Sequence, residues 1–250
     1  MGIKRSYIST ISQEFWRNVG FNPIPPYDIQ GAISLQLPLD VVSLSTLSLK
    51  KIKVWLNERN IVLPFQLSNK HLHGFILIYR NCGFLFINGS DPECERRFTM
   101  AHELSHYLLD YKIPRDRAIK KLGLEIMEVL DGLRSPTNLE RIDGVLSAIN
   151  IKPFTHLLEK GSDGSFVRET VKNSENLADH LAFELLAPRK FVIKQVLQKE
   201  NKISFERFLN KSKKLLTERY DLPDSLGHEY AAKLAYSVTG GPSIISKLGL

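Results

Sequence analysis

Cysteine is almost missing from this chain. Cys82 and Cys94 are the only two among 250 residues. They do not form a C-x-x-C pair, so they cannot build a thiolate zinc site by themselves, and nothing requires them to form a disulfide. Long apolar runs are missing as well: no segment approaches the roughly 20 apolar residues that span a bilayer. Lys4 and Arg5 stand near the start, yet no apolar stretch of signal-peptide length follows them. A cytoplasmic location with no membrane partner is the expectation. Acidic residues are in modest deficit, 27 against 34 basic ones, for a formal charge of +7. That mildly favours acidic partners, but dispersed lysines of this kind more often form a solvated surface than a nucleic-acid footprint. The rest of the composition, 43% hydrophobic and 24% charged, supports a real core in one large domain or a domain with a small appendage.

What is present, and carries the strongest chemical signal, is the pattern H-E-x-x-H in His102-Glu103-Leu104-Ser105-His106. On an α-helix His102 and His106 lie one turn apart and point the same way. Two imidazoles on one face can hold a single zinc ion. Glu103 then sits where its carboxylate can reach a water held by that ion. Met100, Leu104, Leu108 and Leu109 supply the apolar anchor of such a helix. A five-residue pattern with three set positions also arises by chance, with core histidines as the bland outcome. A third ligand elsewhere decides between the two.

Before this helix, Ile8, Ile11, Phe15, Trp16 and Val19 give an apolar face to a helix over 7–19, ended by Asn22-Pro23 and Pro25-Pro26. Residues 29–45 alternate irregularly and suit a short helix or strands. Ser48 can cap a helix to about Asn57 that buries Leu49, Ile52 and Leu56. Its Lys50, Lys51 and Lys53 form a basic face, either a solvated surface or part of a helix-turn-helix. His73–Tyr79 and Gly83–Asn88 are two apolar runs with a short connection, which predicts an antiparallel hairpin. One of its strands either offers an open edge to an extended peptide or only completes the sheet. After the metal helix, apolar residues at spacings of three and four predict a helix from Arg115 to Leu130, stopped near Gly132. Thr137 and Glu140 form a capping box for the next one. Phe154–Leu158 suits a short strand, and Gly161–Ser165 a turn.

The third ligand comes from a second helix, over Ser174–Ala187, bounded by Pro188. Glu175 lies on the side of Ala178, Asp179 and Ala182, whose small alanines permit close approach of another helix. Glu175 can complete a His, His, Glu set that leaves a fourth position for water, as a catalytic zinc site requires. Asp179, one turn on, can accept the outward N–H of a ligand histidine and orient its ring. Glu184 is the competing acidic candidate, deeper in the helix.

Two separated motifs, in order, resemble the ImmA/IrrE family of metallopeptidases. Phe98-Thr99-Met100-Ala101-His102-Glu103-Leu104-Ser105-His106 stands where the family writes F-T-x-A-H-E-x-x-H. Glu175, Ala178, Asp179, Ala182, Leu185, Leu186 and Pro188 stand where it writes E-x-x-A-[ND]-x-x-A-x-x-L-L-x-P. The resemblance extends back through Gly83–Asn88 and covers about residues 20–190. It implies an α+β, zincin-like domain with a small sheet beside the H-E-x-x-H helix, zinc ligands His102, His106 and Glu175, and Glu103 as catalytic base. It also implies cleavage of a DNA-binding repressor or an antitoxin-like regulator in mobile-element or stress responses. Compact members keep the ligand glutamate nearer the second histidine. Here 69 positions separate His106 and Glu175, and the helical segment 112–170 between them is expected to shape specificity.

The expected organisation is a zinc metallopeptidase domain over 1–190 and a small helical unit over 191–250. The latter has a helix capped by Ser204, another near Ser225–Val238, and exposed Lys211, Lys213, Lys214 and Lys233. The expected activity is zinc-dependent endopeptidase action on a cytoplasmic protein. The alternatives are a catalytically silent, metal-stabilised regulator and a DNA-binding transcriptional regulator. Tyr107, Tyr111, His156, His180 and His228 have structural or surface roles in this reading.

Overall fold

The alternation of short apolar runs with amphipathic stretches produces an α+β architecture in the computed structural model, which describes residues 2–20, 24–62, 71–79, 82–146, 168–198 and 203–242. The chain divides into two compact units. One comprises residues 1–36, 92–101 and 179–250, the other residues 37–91 and 102–178.

The second unit contains a three-stranded sheet. Strand β1 (Leu39–Leu44) runs parallel to β3 (Cys82–Asn88), and β2 (Gly74–Tyr79) runs antiparallel to it, in the order β1-β3-β2. β3 is central, and Leu85, Phe86, Ile87 and Asn88 are all buried along it, as a strand covered on both faces requires. The predicted hairpin is present, with Tyr79 opposite Cys82. Within this sheet β2 is an edge strand among the described residues. At Gly83 a Cβ would run into the end of the Leu39 side chain on β1, so glycine lets β1 and β3 pair there without moving that leucine. The irregular stretch over 29–45 resolves into both of its options, helix α2 (Ile29–Gln36) and then β1.

Helix α3 (Leu49–Asn57) starts at Ser48, whose hydroxyl accepts the Lys51 N–H. It packs Ile52 and Leu56 against Leu47, Leu77 and Phe86. A strand separates α2 from α3 in the chain, so these two do not form a helix-turn-helix. Buried Asn88 ties the end of β3 to its surroundings. Its amide donates to Asp91 Oδ1 at 2.5 Å, and its carbonyl accepts the Leu47 N–H at 3.3 Å.

Helix α4 (Glu93–His106) passes directly into a π-helical segment, Tyr107–Lys112, and then into α5 (Ile113–Leu122). The single helix expected over 115–130 is corrected here: α5 ends at Gly123, and α6 covers Ile126–Leu130. Gly123 has φ +87°, a left-handed backbone that terminates a helix at little cost only for glycine. Ala118, Ile126, Val129 and Leu130 form a separate small core. The Arg115–Asp131 ion pair, 2.8 Å, joins α5 to the end of α6. Helix α7 (Asn138–Leu146) begins with the predicted reciprocal cap: Thr137 N–H donates to Glu140 Oε2 at 2.7 Å, and Glu140 N–H to Thr137 Oγ1 at 3.2 Å. The expected strand at 154–158 and turn at 161–165 lie outside the described residues.

In the first unit, helix α1 (Gly2–Asn18) is tied to helix α8 (Arg168–Leu186). Ser12 donates to the Glu184 carbonyl at 2.8 Å, and the Trp16 indole to the Leu185 carbonyl at 2.9 Å. α1 ends before Gly20, whose φ is +84°. The expected stop at Asn22-Pro23 lies outside the described residues. Three further helices follow: α9 (Arg189–Leu197), α10 (Phe205–Glu218, capped by Ser204) and α11 (Asp224–Thr239). Phe183 stacks on Tyr230 at 4.5 Å. Lys213, Lys214 and Lys233 each reach a carboxylate, of Asp224, Glu218 and Glu229 respectively. Among the described residues no helix is long and apolar enough to cross a membrane.

Candidate metal centre

His102 and His106 leave α4 one turn apart, and Glu175 approaches from α8. The three offer ligand atoms that all lie within 4.8 Å of one another. His102 Nε2 is 3.2 Å from His106 Nε2 and 3.3 Å from Glu175 Oε2, and His106 Nε2 is 3.6 Å from Glu175 Oε1. Two donors each about 2.1 Å from one ion at a tetrahedral angle stand about 3.4 Å apart. The separation of the two imidazole nitrogens, and the approach of each to a Glu175 oxygen, lie around that value, so these three residues fit a cation held between them. Two histidines and one carboxylate are a donor set suited to zinc.

The electrostatics agree with a cation site. Hydrogen bonding to His102 and then His106 holds the Glu175 carboxyl well below the usual carboxylate range, against a smaller opposing effect of burial. Burial alone would lower the His106 pKa. Its hydrogen bonds to Asp110 and Glu175 outweigh that and push it up to about 9.

Glu103 follows His102 directly and is half-buried. Burial raises its pKa, positive charge at His102 and His106 opposes the rise, and the Glu175 charge adds to it. A carboxyl held above its ordinary range beside the ligand atoms is a candidate to take up and return a proton.

Asp110 is the residue that sequence reasoning missed. Its Oδ2 lies 2.9 Å from His106 Nδ1. Accepting a proton from Nδ1 leaves the Nε2 lone pair facing the other ligand atoms, the orienting role expected of Asp179. The signal was present in the i, i+4 spacing of His106 and Asp110. Asp110 also falls in the π-helical segment, a local geometry common at functional sites and not readable from periodicity. Asp179 is half-buried on α8, one turn after Glu175.

The competing acid takes another role. Glu184 belongs to the first unit, where its carboxylate receives the Arg189 N–H at 3.4 Å at the start of α9, and burial raises its pKa. Tyr107 and Tyr111 are buried with rings 5.3 Å apart, as core side chains. His228 is exposed, and His156 lies outside the described residues.

With this geometry in place, comparison with known proteins is informative. The family model Peptidase_M78, described as an IrrE N-terminal-like domain, matches residues 57–128. The match spans β2, β3, His102, Glu103, His106 and Asp110, and it agrees with the ImmA/IrrE resemblance carried by residues 98–106. It stops before Glu175. No curated protein and no solved structure matches the chain.

Proposed function

From the IrrE N-terminal-like peptidase match over 57–128, which points to a metallopeptidase-type function, we propose that this protein is a zinc-dependent endopeptidase of zincin-like fold that cleaves a cytoplasmic protein. The observation that carries the proposal is the convergence of His102, His106 and Glu175 with Glu103 beside them. The two histidines and Glu175 hold the ion. What zinc supplies when bound is Lewis acidity toward a peptide carbonyl and toward water. Glu103 takes the proton released as water attacks the carbonyl carbon. It returns that proton to the amine nitrogen as the C–N bond breaks. Asp110 keeps the His106 ring in its ligand orientation throughout, and Asp179 is assigned a similar supporting role. An extended substrate can pair with the edge of β2 through backbone hydrogen bonds.

The resemblance of the two motifs to the ImmA/IrrE family favours a DNA-binding repressor or antitoxin-like regulator as the substrate. The long segment between His106 and Glu175 is the element proposed to select it. The test compares wild type with Glu103→Gln against candidate regulators, with metal analysis and mass spectrometry of the products. Glu103→Gln is expected to retain zinc and to lose cleavage by at least about 100-fold, the scale of a general base. Normal cleavage by this variant would refute the mechanism. Bound zinc with no cleavage by wild type of any candidate would favour the silent regulator instead.

A further inference from the structure

We infer that Ser174 and Asp110 form a positioning link that sets where Glu175 meets the two histidines, an inference that rests on the metal-site reading. His102 and His106 need no such device, because both project from one helix and helix geometry sets their spacing. Glu175 arrives from a different helix, and 51% of its side chain is exposed. Apart from its contacts with the two imidazoles, burial therefore does little to hold it.

Ser174 is the residue immediately before Glu175. Its hydroxyl donates to Asp110 Oδ2 at 3.4 Å, and the same oxygen faces His106 Nδ1 at 2.9 Å. A carboxylate oxygen has lone pairs for both donors. One atom thus joins a ligand histidine to the neighbour of the ligand glutamate. The π-helical segment places that atom: Tyr107, Leu108 and Tyr111 are buried, while Asp110 keeps 35% of its side chain exposed. At 3.4 Å the Ser174 bond is longer than an ordinary O–H···O bond of about 2.5–3.0 Å, so its effect on metal binding is modest and that of Asp110 larger.

The experiment measures Zn²⁺ affinity by chelator competition and the visible spectrum of the Co²⁺-loaded protein. It uses the full chain as wild type, Ser174→Ala, Ser174→Thr and Asp110→Asn. Ser174→Ala should weaken zinc binding about 3- to 10-fold, the range of a single hydrogen bond, and alter the cobalt spectrum. Ser174→Thr, which keeps the hydroxyl, should recover most of the affinity. Asp110→Asn should weaken binding about 10- to 100-fold. Wild-type affinity and spectrum in Ser174→Ala, or a loss that Ser174→Thr does not restore, would overturn the link. So would a lowered melting temperature of the metal-free Ser174→Ala protein with no change in affinity, which would mark Ser174 as merely structural. A wild-type protein that binds neither ion would overturn the metal-site reading itself, before any variant is compared.

Discussion

A histidine binds a cation only through a nitrogen that has its lone pair free, and Asp110 arranges this for His106. The hydrogen bond at Nδ1 commits the proton to that side, and Nε2 turns toward Glu175 and His102. Glu175 depends on reach as much as on charge. Replacing it with aspartate keeps the carboxylate but withdraws it by one carbon–carbon bond, about 1.5 Å, well beyond the spread of the observed separations, 3.2 to 3.6 Å. Glu175→Asp should therefore lower zinc affinity by more than the about 10- to 100-fold cost of losing an outer partner. The far-ultraviolet circular dichroism of the metal-free protein should not change, because the residue is exposed. Isothermal titration with zinc checks this, and undiminished affinity would remove Glu175 from the ligand set. At this scale the shared face of His102 and His106, with Glu103 beside them, was legible because it is local to one helical turn. Asp110 was legible only in principle, since an acidic residue four positions after a histidine is common on any helix.

Elements were readable where their ends are written in side chains. Ser48 and Ser204 cap α3 and α10 as their positions suggest. Thr137 and Glu140 form the reciprocal cap of α7. The break at Gly123 was not readable, because a glycine inside an apolar periodicity is compatible with a continuous helix until the backbone adopts a positive φ. The α7 cap also makes a pH prediction. Arg134, and then the Thr137 N–H, hold the Glu140 carboxyl down at about 2, from an ordinary 4.5. A group whose pKa is lower in the folded state adds stability above its unfolded value, and that contribution is lost as pH falls toward the folded value. The cap should accordingly be intact above about pH 4.5 and fade as the pH falls through about 2. A carbon-detected NMR titration of Glu140 should find its midpoint near 2 and the α7 amides still protected at pH 4. A midpoint at the ordinary value would show that the Arg134 pairs do not persist in solution.

For the whole molecule, the proposed zinc ion is the term that would join site to stability. A ligand that binds only the folded chain stabilises it by about 2.7 kcal/mol at a free concentration 100 times its dissociation constant. For a chain of this size that corresponds to a rise in melting temperature of about 5–10 °C. Zinc should produce such a rise, a chelator should reverse it, and a His102→Ala, His106→Ala double variant should show neither. Scanning calorimetry distinguishes these outcomes. The placement of His102 and His106 on one face of α4 was determined by the sequence alone, because helical periodicity puts residues four apart on one face whatever surrounds them. The same holds for the caps and for the β2–β3 hairpin, whose partners are neighbours in the chain. Tertiary structure decided that Glu175 rather than Glu184 meets the histidines, that Asp110 is the partner of His106, and that β1 lies parallel beside β3. Each of these depends on registering one element against another distant in the chain, and that registration is set by packing, which no local pattern encodes.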